Sequence, residues 1–149
     1  MPADVNVLVA LLWPAHHAHS AAQAWLARMP GRKWATCPLT QAGVVRILSN
    51  PAFSPQAVSP EQALDVLAAN LADSRHVFWP DDISVKEALH PFRLNLSGHR
   101  QITDAYLLAL AVHHNERLAT FDRAILTLHG RESAGRKHVE LLGARPRSV

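Results

Sequence analysis

Two neighbouring stretches constrain this chain more than any others. Ile102-Thr103-Asp104-Ala105-Tyr106-Leu107-Leu108-Ala109-Leu110-Ala111 has the length and apolar content of a buried helix, and Leu118-Ala119-Thr120-Phe121-Asp122 reads as a buried strand. Each carries one acid, Asp104 at the helix start and Asp122 at the strand end. A third acid, Asp4, stands alone in Pro2-Ala3-Asp4-Val5-Asn6-Val7-Leu8. The chain has only 12 Asp and Glu, and an ionised carboxylate in apolar surroundings is costly unless a cation or hydrogen bonds compensate it. Three such acids suggest a shared site for a hard divalent metal.

With 149 residues, 48% hydrophobic and 18% charged, the chain is long and apolar enough to bury one core without disulfides, and disorder is excluded. No stretch reaches the length of a membrane span. Residues 5 to 13 are apolar, but no basic segment precedes them and no small-residue cleavage site follows. They do not read as a signal peptide, and the expected location is cytoplasmic. The single Cys37 sits in the apolar run Trp34-Ala35-Thr36-Cys37 and reads as a buried structural thiol. The net charge of +3 permits nucleic acid without establishing it. Arg131, Arg136, Lys137, Arg145 and Arg147 gather near the C-terminus.

Apolar strands alternate with helical patterns from end to end, with no repeat or linker, so one α/β domain over 1–149 is expected, with a tail from about residue 144. The expected sheet is mostly parallel, with four to five strands flanked by helices. A short strand at 2–5 runs into an apolar helix near Asn6, and a helix over about 17–29 places Ala18, Ala21, Ala22, Trp25 and Met29 on one face. Trp34 to Cys37 is a strand broken by Pro38, after which Thr40 is the expected N-cap of a helix. Ser59-Pro60-Glu61-Gln62 is a capping box opening a helix through Leu64, Leu67 and Leu71. His76 to Trp79 is a strand, and Asp81 and Asp82 are expected to cap a short helix from Ile83. Arg93 to Gln101 lacks periodicity and reads as a polar loop. The Asp104 helix runs to about His114, followed by a strand at 118–121, a short helix near 123–128 and a strand at 138–142.

In a parallel sheet, strand carboxyl ends and the amino ends of the following helices collect on one edge, where ligands bind. That topology brings Asp4, Asp104, Asp122 and residue 41 to the same edge. Close carboxylates raise one another's pKa, a conflict that Mg²⁺ or Mn²⁺ removes. Each acid also has a local reading: Asp104 as a first-turn acid meeting the helix dipole, Asp122 as a turn or cap residue. Asp4 has no evident capping logic. Metal-bound carboxylates without a nucleophilic side chain point to a metal-activated water as nucleophile and a phosphodiester as substrate. Asn6 and Thr120 flank the acids and could orient a ligand or that water.

These strings, taken together, carry a family resemblance. Asp4-Val5-Asn6-Val7-Leu8, Cys37-Pro38-Leu39-Thr40 with Arg46-Ile47-Leu48-Ser49-Asn50-Pro51, Trp79-Pro80-Asp81-Asp82, Ile102 to Ala111 and Thr120-Phe121-Asp122 resemble, in that order, a VapC-type PIN-domain ribonuclease toxin over nearly the whole chain. The resemblance implies a Mg²⁺- or Mn²⁺-dependent endoribonuclease, usually dimeric, inhibited by a small VapB-type antitoxin. Asp4, Asp104 and Asp122 match its metal-binding acids. At residue 41 the family usually carries glutamate, so Gln41 leaves three negative charges instead of four and implies weaker metal binding. The strand before Asp4 is shorter than the family's, which leaves a start upstream open.

Other features read more simply. His16, His17 and His19 lack a Cys or acid to complete a metal set and read as a polar helix start. His113 and His114 suit a helix carboxyl end. Trp13, Trp25, Trp34 and Trp79 read as core or interface residues. His99 and Arg100, beside Asp104, are candidate RNA contacts. Two other functions compete: a receiver-like phosphoacceptor domain, disfavoured by Asn6 and by a lysine count of three (Lys33, Lys86, Lys137), and a silent PIN module binding RNA or antitoxin, raised by Gln41.

Overall fold

The computed structural model describes residues 1–29, 31–129 and 133–143. Its packing divides the chain into two compact units, one from Ala3 to Asp81, the other formed by Met1–Pro2 with Asp82 onward.

In the first unit, α1 (Val5–Leu12) is buried continuously from Val7 to Leu12, as an apolar helix with little polar face must be. It packs against α2 (His19–Ala27) and α3 (Pro38–Leu48), and α3 against α4 (Pro60–Leu71). Gly43 makes the α1–α3 approach possible: a Cβ there would stand 2.8 Å from Val5 Cγ2. Strand β1 (Trp34–Thr36) pairs in parallel with β2 (His76–Phe78), Ala35 opposite Val77, and Ala3 N donates to Ala35 O. Trp25 and Trp34 are the largest fully buried side chains. Burying 150–250 Å² of aromatic surface is worth roughly 4–6 kcal/mol of transfer free energy each, which offsets the ordering of the short strands around them. Trp13 and Trp79 are part-exposed.

Several local expectations are corrected. The strand at 2–5 reduces to single bridges at Pro2 and Ala3, because proline has no N–H to continue a ladder and Asp4 already caps α1. The N-cap of α3 is Cys37, not Thr40. Pro38 takes the first helical position rather than breaking the chain, and Thr40 closes a capping box by accepting from Cys37 N at 3.0 Å. Cys37 is buried, and burial pushes its thiol pKa up. The α4 capping box forms as expected, Ser59 with Gln62, but the helix buries Ala63 and Leu67 and leaves Leu64 54% exposed.

In the second unit, α5 (Val85–Leu89) packs on α6 (Ile102–His113), whose residues 105–111 are all buried. Ser84 caps α5 in a box with Glu87; Asp81 and Asp82 do not. Hydroxyl and carboxylate satisfy the first-turn amides there, and Asp82 instead lies 3.8 Å from His113 Nε2. Strand β3 (Leu118–Thr120) pairs in parallel with β4 (Val139–Leu141), and Ala119 N donates to Pro2 O. The α/β class and parallel pairing are thus as expected, but among the described residues the strands hydrogen-bond as two three-residue pairs rather than one sheet of four to five strands. Residues 93–101 are more ordered than their sequence suggests: Asn95 Nδ2 donates to Leu128 O, and His99–Gln101 forms a 3₁₀ turn leading into α6. Arg136 and Lys137 are exposed, while Arg131, Arg145, Arg147 and the tail from residue 144 lie outside the described residues. No described helix is long and apolar enough to cross a membrane.

Candidate active site

The start of α6 supplies the first acid. Gln101 stands at the N-cap without a side-chain capping bond, and Asp104 sits in the first turn. The Asp104 carboxylate is not spent on the helix end: its pKa is raised, first by burial and then by the negative charge of Asp122. Asp122, after β3, is exposed. Its Oδ1 accepts from Ala124 N at 2.7 Å, capping the 3₁₀ helix Arg123–His129, and its own N–H donates to Thr120 Oγ1 at 3.0 Å. The local reading of Asp122 as a cap therefore holds for one oxygen. Thr120 is 1% exposed, and its hydroxyl, by accepting from Asp122 N, sets the turn that carries the acid.

A cavity of about 180 Å³ is lined by Arg100, Gln101, Asp104, Asp122, Ala124, Ile125 and Leu128. It brings together three residues singled out from sequence, Arg100, Asp104 and Asp122, and does not include His99. Gln101 was not foreseen. Its Oε1 accepts from Ser97 N at 2.7 Å and its Nε2 donates to Thr127 Oγ1 at 3.3 Å, bracing the cavity wall. Only its place one residue before the helix could have marked it.

The remaining candidates lie in the first unit. Asp4 is 3% exposed, and its Oδ1 accepts from Val7 N at 2.7 Å as the α1 N-cap, which corrects the expectation that it had no capping role. Its extended backbone places the side chain over the first helical amides. Asn6 is exposed in the first turn of α1, and Thr40 is engaged with Cys37. Gln41 Nε2 donates to Thr36 Oγ1 at 2.8 Å, and Thr36 Oγ1 lies 2.8 Å from His76 Nε2. Burial lowers the His76 pKa, which favours a neutral imidazole in this chain of three. Thr36 and His76 were not foreseen, since they join only through the β1–β2 register.

Two acids around a small cavity, one pushed toward its neutral form by burial and by the other's charge, make a donor set that a hard divalent cation fits, because the cation reverses both penalties.

Residues 3–129 match the PIN domain family. Three ribonucleases of Mycobacterium tuberculosis are similar over most of the chain: ribonuclease VapC39, 44% identical over 82% of this chain and 88% of its own; ribonuclease VapC38, 43% over 84% and 86%; and ribonuclease VapC29, 43% over 85% and 89%. The chain belongs to the PIN-domain family, among its VapC-type members.

Proposed function

We propose that this protein is a divalent-metal-dependent endoribonuclease of a toxin–antitoxin pair, working as a single PIN domain. The cavity shared by Asp104 and Asp122 beside Arg100 carries the reading, and the names of its relatives support it. Asp104 and Asp122 hold the ion, with Asp4 as the third acid and Gln41 as a neutral supporting group. A bound Mg²⁺ or Mn²⁺ supplies charge neutralisation for a phosphodiester and lowers the pKa of water.

The side chains themselves do three things. Asp122 has one oxygen fixed by Ala124 N–H, so its other oxygen is presented at a constrained angle. Arg100 offers a guanidinium fork to phosphate at the cavity rim. Ile125 and Leu128 close the cavity floor with apolar surface and so raise the strength of charge interactions inside it. RNA is the substrate, a small VapB-type antitoxin the inhibitor, a homodimer the assembly and the cytoplasm the place of action.

Purified wild-type protein should cleave RNA with Mg²⁺ or Mn²⁺ and stop when EDTA is added. Asp104→Asn should lose at least about a hundredfold in cleavage rate yet melt no lower in EDTA at pH 7. A carboxyl whose folded pKa is raised costs stability once the pH exceeds its unfolded value, and asparagine removes that cost. Full cleavage by Asp104→Asn would end this reading. The silent-module alternative rests on Gln41, whose amide is committed to Thr36; metal-independent RNA binding without cleavage would favour it.

A further inference from the structure

The carboxyl end of α6 holds a second group of metal-ligating side chains that the nuclease reading does not use. Asp82, His113 and His114 each bring one ligand atom within 4.8 Å of the other two, and Asp82 Oδ2 lies 3.8 Å from His113 Nε2. Adjacent residues within a helix point about 100° apart, so two consecutive histidines ordinarily cannot share an ion. Here the helix ends between them. His113 is its last residue and His114 its C-cap, followed by Asn115 with a positive φ of 51°. Asn115 N donates to Val112 O and Glu116 N to Ala111 O, a Schellman closure that fixes the exit of the chain. The two rings meet edge to face, centroids 5.2 Å apart.

Asp82 is held to the same place independently. Tyr106 Oη donates to the carbonyl of Ile83 at 3.0 Å, and Tyr106 precedes His113 by two helical turns on nearly the same face. The segment entering α5 is thereby laid along α6 with Asp82 at its carboxyl end. The negative end of the helix dipole and the carboxylate both favour a cation there. Asp82 and His113 are exposed, which leaves an ion access and the side chains room to close.

We propose that Asp82, His113 and His114 form a second cation site, for zinc or a similar borderline ion, that clips the start of the second unit to the end of α6. Two imidazoles and one carboxylate are the ligand chemistry of zinc rather than of magnesium. Tetrahedral zinc with bonds near 2.1 Å sets its ligand atoms about 3.4 Å apart, so the three atoms need only a modest contraction, and water or another ligand completes the set. The site is separate from the acidic cavity: Asp104 and His113 stand nine residues apart on one helix, about 14 Å along its axis. Because the ion binds folded protein, zinc raises the melting temperature.

Metal-stripped full-length protein titrated with Zn²⁺ alone by calorimetry tests this, beside His113→Ala, Asp82→Asn and Asp104→Asn. One zinc per chain is expected, weakened at least about tenfold by His113→Ala and by Asp82→Asn, and unchanged by Asp104→Asn. Zinc should raise the melting temperature of the wild type and not that of the first two variants. Melts in EDTA show whether each variant folds, and Asp82→Asn, an exposed isosteric change, decides if His113→Ala does not. Absence of zinc binding by the wild type, wild-type affinity in Asp82→Asn, or loss in Asp104→Asn, which would put the ion at the acidic pair, each overturns the proposal.

Discussion

Gln41 is the residue on which the strength of the proposed metal centre turns. Its amide hydrogen-bonds Thr36, which in turn meets His76, so the side chain is oriented although it carries no charge. Gln41→Glu adds the fourth negative charge and should lower the Mg²⁺ or Mn²⁺ concentration for half-maximal RNA cleavage by about tenfold, the size of one partly screened charge. A metal titration of cleavage reads this directly, and superimposable curves for both proteins would remove residue 41 from the site. Asp73 gives a pH dependence away from the chemistry. Its carboxylate accepts from Arg75 N, Nε and Nη2, and these bonds hold its pKa down from 3.8 to about 2. The stabilisation is present above the unfolded pKa and lost as pH falls through the folded one. Between those two pH values the urea midpoint of the wild type should drop more steeply than that of Asp73→Asn; parallel curves would show that the pair contributes nothing.

At the scale of elements, the α1–α3 crossing leaves no room for a side chain at residue 43. Any side chain at residue 43 meets Val5, the residue after Asp4, at 2.8 to 3.0 Å. Alanine is the better helix former, so propensity alone predicts that Gly43→Ala stabilises. The clash outweighs it, and the variant should lose about 1–3 kcal/mol, with Val5→Ala in the same chain recovering most of that. Urea unfolding of the two single variants and the double variant separates the effects, and additive losses would mean that the helices do not meet as described. Caps show the same dependence on sequence and neighbourhood. The Ser59 and Ser84 boxes are legible because donor and acceptor lie three residues apart in the chain. Cys37 is not legible as a cap because a thiol is a poor cap by type, and its extended backbone becomes the N-cap only because Pro38 takes the first helical position.

At the scale of the whole molecule, the proposed activity has consequences that a purified fragment would not show. Expression of the chain alone should slow growth, and co-expression of a cognate VapB-type antitoxin should restore it, with the two proteins co-purifying. Harmless expression of a protein that cleaves RNA in vitro would separate the enzyme from the toxin reading. The same growth assay with Asp122→Asn should show no toxicity, tying the effect to the acidic cavity.

What the sequence determined by itself was whatever a residue and its near neighbours decide. Apolar runs made α6 and β3 buried, the strand–helix alternation made the class α/β, and rare acids within those runs marked Asp104 and Asp122, which face one cavity. Asp4 was found for its isolation, but its cap on Val7 was missed, because the extended backbone that aims its carboxylate at the helix is set by where α1 begins. Tertiary structure alone decided the contacts between distant positions. Thr36 reaches His76 only through the β1–β2 register, and Gln101 reaches Thr127 only because α6 and the 3₁₀ helix after β3 pack together. Asp82 meets His113 and His114 for the same reason: a periodic pattern records which face of a segment is buried, and does not record what that face is buried against.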